Sequence, residues 1–265
     1  MIAPLASRLG RRASAVSTAA GSFPALDVPH ARRSLRELTL LGTPITVDVT
    51  GLLGLGLAAW TFADGVLPVE VPGRGMGAYA AAGTLAALLL LGSLVLHETG
   101  HWVAARRAGL PVIGLRLSLV GGALALDAAP RTPAAVARIA IAGPLASLAT
   151  AVVAALAHVI MVEVGADPLA ATIPAIVATG NLGLALVNLV PGLPLDGGHL
   201  LRAGLWRLTG SLPAATRVAH RLGRGVAGGL LGLAVVASAS GDAAAATWAA
   251  MLALAIYLNA SAAPA

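Results

Sequence analysis

Six stretches of this sequence are apolar and long enough, or nearly so, to cross a bilayer: about 46–63, 79–105, 134–163, 169–190, 223–240 and 243–260. Roughly 20 residues of helix traverse the hydrocarbon, so most of the chain belongs in lipid. The composition agrees. Of 265 residues 58% are hydrophobic and 11% charged, more apolar surface than one water-soluble core of this size can bury. The expected fold is an all-α polytopic membrane protein of about six transmembrane helices. The last two spans, separated only by Ser240, Gly241 and Asp242, should form a helical hairpin.

Charge orients the spans. All 17 basic residues are arginine: six precede the first span, Arg74 follows it, five fall between Arg106 and Arg138, and five between Arg202 and Arg224. This alternation matches the positive-inside rule with both termini cytosolic. The arginines therefore follow membrane topology, and no nucleic-acid partner is expected. Residues 1–42, with Arg8, Arg11, Arg12, Arg32, Arg33 and Arg36, lack the long apolar core of a secretory signal. They read as a flexible Arg-rich cytosolic tail, the early part being also compatible with an organellar transit peptide, and 43–265 as one membrane domain. The absence of lysine beside abundant alanine, glycine and arginine suggests a GC-rich bacterial genome, hence a bacterial cell membrane.

Between the second and third spans, VIGLRLSLVGGALALDAAP changes period. Leu115, Leu117 and Leu119 alternate with Arg116 and Ser118, and Leu124 and Leu126 alternate with alanine and Asp127. That is a β-hairpin pattern, with Gly121 and Gly122 as the expected turn. A hairpin edge cannot face lipid, so this small β element must be interfacial or shielded by protein.

The second span ends in LHETGHW. On a helix His97 and His101 stand one turn apart on the same face, able to hold one metal together, and Glu98 can reach a water activated by it. Ionisable groups at membrane depth cost roughly 2.5–3.5 kcal/mol each, so three within five residues need a compensating partner. A dication supplies one. With no cysteine in the chain, its ligands must be nitrogen or oxygen, and a catalytic zinc site ordinarily takes three.

The third ligand must come from few candidates. Asp64 ends a span, Asp127 ends the hairpin, and His158 and Glu163 lie toward the opposite side, His158 reading as a satisfied interfacial histidine. Asp196 lies in NLVPGLPLDGGHLL, where two prolines and two glycines break the fourth span on the same side as His97. Irregular backbone at that depth is tolerated where it lines a cavity or is buried in protein, which favours a ligand role over a helix N-cap at Asp196.

HETGH in one span with NLVPGLPLDGG ending a later one resembles the site-2 protease family of intramembrane zinc metalloproteases, over about residues 79–205. The resemblance implies one zinc per chain held by His97, His101 and Asp196, with Glu98 as catalytic base. Asn188 would stand near the substrate. Asn181, seven residues earlier on roughly the same face, is a second substrate-binding candidate or an interhelical hydrogen-bonder. AGPLAS at 142–147 is similar to the family's AGPxxN segment, with Ser147 in place of asparagine, a departure expected to bear on helix contact. With 42 residues between His101 and Pro144 there is no room for a PDZ domain, and nothing after Ala260 suggests a CBS pair, so a minimal member is expected. Its partners would be the bilayer and transmembrane substrates such as anti-sigma factors or signal-peptide remnants; oligomeric state is not set by these residues. The hairpin would pair its edge at Leu117 with locally unwound substrate. Two rivals from other classes are a membrane metal carrier, which has no need of Glu98, and a catalytically silent scaffold. A membrane HExxH protease with glutamate as third ligand fits poorly, because Glu163 is the only later glutamate.

Overall fold

The computed structural model describes residues 38–40, 42–47, 49–118 and 121–261. Six helices within it are long and apolar enough to cross a membrane. The first span is composite: α1 (Val49–Trp60) runs through a π-helical segment (Thr61–Val66) into α2 (Leu67–Glu70). The others are α3 (Met76–Arg107), α4 (Pro133–Glu163), α5 (Pro168–Asn188), α7 (Leu212–Ala239) and α8 (Ala243–Ser261). The shorter α6 (Asp196–Thr209) joins α5 to α7.

The boundaries have local causes. Thr132, Asp167 and Ser211 cap α4, α5 and α7 by accepting backbone N–H groups of the first turn, each ahead of a proline that needs no N–H partner there. Arg106 and Arg107 sit in the last turn of α3, where cations suit the helix dipole. Gly109 follows with φ +75, a left-handed stop that a side chain would strain.

Two spans differ from expectation. Ser211 and Pro213 start α7 eleven residues before 223, so its first four turns carry Arg217, Arg221 and Arg224. The first span starts later than 46 because Thr43–Val47, rich in β-branched residues and containing a proline, is a strand.

That strand enlarges the β element beyond the expected hairpin. β1 (Leu38–Leu40), β2 (Thr43–Val47), β3 (Val112–Ser118) and β4 (Gly121–Leu126) form one sheet in the order β1-β2-β3-β4. β2 runs parallel to β3, with Val47 opposite Leu117, and β3 runs antiparallel to β4. Leu38–Leu40, at the end of the segment read as tail, is thus part of the sheet; residues 1–37 lie outside the described residues. Ser118 pairs with Gly121 and Leu117 with Gly122, so both glycines belong to β4 and are not the expected turn.

The sheet is tied to α3 by Trp102, whose Nε1 donates to Thr43 Oγ1 at 3.0 Å. Arg106 lies over the Trp102 ring, 5.5 Å from its centroid. Leu115 and Leu117 are buried against the helices.

Candidate metal centre

α3, α4 and the turn before α6 bring the chemistry together. His97 and His101 lie one turn apart on α3 with Nε2 atoms 3.2 Å from each other. Asp196 Oδ2 is 3.2 Å from His97 Nε2, and Asp196 Oδ1 is 3.3 Å from His101 Nε2. Asp196 does not cap α6; it is the first residue of the helix, and its carboxylate turns back to α3. Glu98 is buried beside this group, and its carboxylate can meet the two imidazoles around one point.

These separations test the fit to a metal. Ligands at ~2.0–2.1 Å from a tetrahedral zinc stand about 3.3 Å from one another, which is the spacing found here. Hydrogen bonding adds a second test. His101 Nδ1 lies 2.7 Å from the Ile139 carbonyl and donates to it, which turns Nε2 toward the other two ligand atoms. His97 Nδ1 lies 2.9 Å from Ser147 Oγ. Asp196 Oδ2 is buried without a hydrogen bond of good geometry. Two imidazole nitrogens and a carboxylate gathered at this depth need positive charge among them, which a dication supplies, so the donor set fits a metal.

The surrounding backbone makes room. Gly143 of α4 lies where any Cβ would overlap the His101 ring and come within 2.6 Å of His97 Nε2. Pro144 has no N–H to give Ala140 and loosens that turn of α4, and in the same turn the Ile139 carbonyl receives His101. Gly197 and Gly198 have no Cβ where the backbone of Leu189, Val190 and Gly192 folds against the start of α6. Both glycines of LDGG are therefore needed for the loop to aim Asp196.

Electrostatics outside the spans is consistent. Burial would raise the Asp196 pKa, but the two imidazoles outweigh it and hold the group at about 2, a carboxylate at neutral pH. Burial drives His199 down to about 3, with the Arg202 charge adding to it, and the neutral ring accepts from Arg202 Nη2 at 3.1 Å.

The structure gathers the expected site residues unequally. His97, Glu98, His101 and Asp196 converge. Asn188 is partly buried and donates to the Leu184 carbonyl in its own helix. Asn181 is wholly buried and donates to Val177. Leu117 corrects the expectation of a strand edge, because β3 is paired on both sides by β2 and β4. Of the two edge strands among the described residues, β1 and β4, it is β4 that faces the site: the Gly122 N–H donates to Glu98, and a Cβ on Gly122 would overlap that carboxylate. Ser147 was expected to serve helix contact and instead touches a ligand ring. A hydroxyl in the middle of an apolar helix, four residues after a glycine, was its available signal.

The region 85–231 matches the profile of peptidase family M50, in two overlapping parts, 85–175 and 165–231. The chain belongs to peptidase family M50. It is 38% identical to the putative zinc metalloprotease Rip3 of Mycobacterium tuberculosis, over 80% of this chain and 54% of that protein. It is 33% identical to the putative zinc metalloprotease sll0528 of Synechocystis, over 72% of this chain and 49% of that one. This M50 chain therefore spans about half the length of the curated relatives it matches. Its fold is similar to the solved site-2 protease from Methanocaldococcus jannaschii, with TM-score 0.58 and 26% identity, covering 87% of this chain and 95% of that one.

Proposed function

We propose that this M50 chain is an intramembrane zinc metalloprotease that hydrolyses peptide bonds within or near the transmembrane segments of single-pass membrane proteins. The observation that carries the reading is the convergence of His97 Nε2, His101 Nε2 and the Asp196 carboxylate, its Oδ2 toward His97 and its Oδ1 toward His101, at 3.2–3.3 Å, with the Glu98 carboxylate beside them. One zinc per chain would be held by His97, His101 and Asp196. When bound there, zinc would supply a Lewis acid for the scissile carbonyl and a lowered pKa for water. Glu98 takes the proton of the attacking water and delivers it to the leaving amine. The hydrogen bond from Gly122 aims that carboxylate without consuming both of its oxygens. Ser147 and the Ile139 carbonyl fix the orientation of the two ligand rings.

A transmembrane helix has its carbonyls engaged in hydrogen bonds, so cleavage requires local unwinding. The open edge of β4, one hydrogen bond from Glu98, offers an unwound segment new backbone partners. Gly122 N–H points outward, so by alternation Leu124 N–H does too. The arginine-rich loops and both termini would face the cytosol.

The experiment combines metal content with cleavage of a model single-pass substrate. The unmodified protein should carry about one zinc per chain. His97→Ala and Asp196→Ala should lose most of it, and Glu98→Gln should keep zinc while losing at least a hundredfold in rate. Leu124→Pro, which removes one edge N–H and no ladder bond, should keep zinc and lower the cleavage rate. Zinc held equally well without Asp196 would overturn that ligand; zinc with no cleavage of any substrate would shift weight to a metal carrier or scaffold.

A further inference from the structure

Two turns of α7 present opposite faces with different tasks. Inward, Ala219 and Gly223 are buried against the loop before α6. The Leu193 N–H donates to the Ala219 carbonyl at 3.1 Å, and Gly223 has no Cβ where one would overlap the Leu193 carbonyl. A Cβ on Gly192 would come within 2.8 Å of the Gly223 backbone. Leu193 is three residues before Asp196, so the inner face of α7 holds the short loop that sets the third ligand. Outward, Arg217, Arg221 and Arg224 are exposed at spacings of four and three, which puts them on one stripe.

The depth of that stripe follows from α8. α8 returns antiparallel to α7 after the turn at Gly241, and His220 reaches the backbone of Ala260 in the last turn of α8. The stripe is therefore level with the end of the helical hairpin. From Gly225 to Ala239 the helix rises only about 22 Å, less than the ~30 Å of hydrocarbon, so the arginine stems lie along the last apolar turns and their heads must extend to the headgroup layer. Among the described residues no carboxylate pairs with these three guanidinium groups.

We propose that Arg217, Arg221 and Arg224 are a docking surface for the headgroup phosphates of anionic phospholipids, and that seating them there holds α7, and through Leu193 the loop carrying Asp196, in its metal-binding position. Three cations in one stripe suit a leaflet of net negative charge, and guanidinium binds phosphate through two parallel hydrogen bonds. The inference rests on the zinc-site reading above, and its principal readout does not require proteolysis.

The full chain is reconstituted in vesicles of phosphatidylcholine alone and of phosphatidylcholine with phosphatidylglycerol, and zinc affinity is measured by chelator competition alongside cleavage. The unmodified protein should hold zinc about fivefold or more tightly in the anionic vesicles, a coupling of ordinary size between distant sites. The triple variant Arg217→Gln, Arg221→Gln, Arg224→Gln should give the phosphatidylcholine value in both, and the corresponding triple lysine variant should keep most of the response. Arg106→Gln with Arg107→Gln, charge removed elsewhere, should keep it too. Inorganic phosphate added to phosphatidylcholine vesicles should change nothing. Equal zinc affinity in both vesicles, a full response in the triple glutamine variant, its loss in the Arg106 and Arg107 control, or an equal response to inorganic phosphate would overturn the proposal. Absent cleavage with the lipid-dependent zinc affinity intact would count against the protease reading and leave this one standing.

Discussion

Two regions of this membrane domain are built from the same alanine- and glycine-rich sequence and pack in opposite ways. Around the metal centre every glycine has backbone or a ligand against it: Gly100 on the Ala142 carbonyl, Gly143 on both imidazoles, Gly197 and Gly198 on the loop before α6. On the other side, α1, α3, α5, α7 and α8 border a partly open cavity of about 540 Å³, lined by leucines and by small residues such as Gly51, Gly54 and Ala58, together with Trp248. Gly180 in that lining meets only the Leu90 side chain, and Gly228, Gly229 and Gly232, exposed on the outer face of α7, meet nothing within 4 Å. A glycine in the first region abuts backbone or a ligand, whereas Gly180 meets a flexible side chain and these α7 glycines meet open space. The difference follows from what each region holds. Imidazoles and carboxylates at membrane depth must have each polar atom satisfied, which requires α3, α4 and the Asp196 loop to approach at backbone distance. The apolar region has no such demand.

The sharpest way to break this contrast is to add one methyl group where it should matter most. Gly143→Ala puts a Cβ into the space shared by the His101 and His97 rings, so one ring must leave. We expect zinc content to fall to near zero and cleavage by at least a hundredfold, with helical content unchanged by circular dichroism. Gly228→Ala, the same change in open surroundings, should leave both readouts as they are. If the two variants bind zinc equally, the metal is not held between these rings.

How much of this was legible in the sequence follows the same division. His97, Glu98 and His101 could be read because a helix places i and i+4 on one face whatever packs around it. Asp196 was legible for a related reason: prolines and glycines at the end of a span announce irregular backbone, and a carboxylate there needs a partner. Ser147 was not, because its role depends on how α4 is set against α3, and that is fixed by Gly143 and Gly100 lacking a side chain at the contact, which no periodicity encodes. The sheet shows the same limit. Alternation at 115–126 predicted β3 and β4, but β2 joins as a parallel partner from 70 residues away, and only that pairing covers the edge at Leu117 and leaves β4 as the free edge of the hairpin.

Ser147 gives a prediction of intermediate size that sharpens the picture of the close-packed region. Its hydroxyl lies 2.9 Å from His97 Nδ1 and is wholly buried, so Ser147→Ala leaves a ligand ring without its outer partner. Zinc affinity should drop about tenfold to a hundredfold, with kcat less affected once zinc is saturating. Ser147→Thr should restore most of the affinity. Serine acting only as a small residue at a helix contact would give the reverse order, alanine harmless and threonine harmful, and chelator competition on the two variants separates these outcomes.

The smallest expected effect tests the loose region directly. Ala58 lines the cavity and is half-buried, whereas Ala86 is wholly buried in the cluster formed by Leu67, Tyr79 and Ile176. Ala86→Leu forces three additional carbons into filled space and should cost about 1–3 kcal/mol of unfolding free energy. Ala58→Leu adds the same three carbons to a space that can hold them, so its cost should stay below about 1 kcal/mol, with zinc content unchanged. Unfolding in one detergent under one set of conditions compares them. Equal costs would mean that the helices close over the cavity in the folded protein, and the contrast between the two regions would disappear. Unequal costs together with slower cleavage by Ala58→Leu at full zinc occupancy would place the cavity on the path of the substrate, because the variant then alters neither the metal nor the stability but only the room available between α1 and the rest of the bundle.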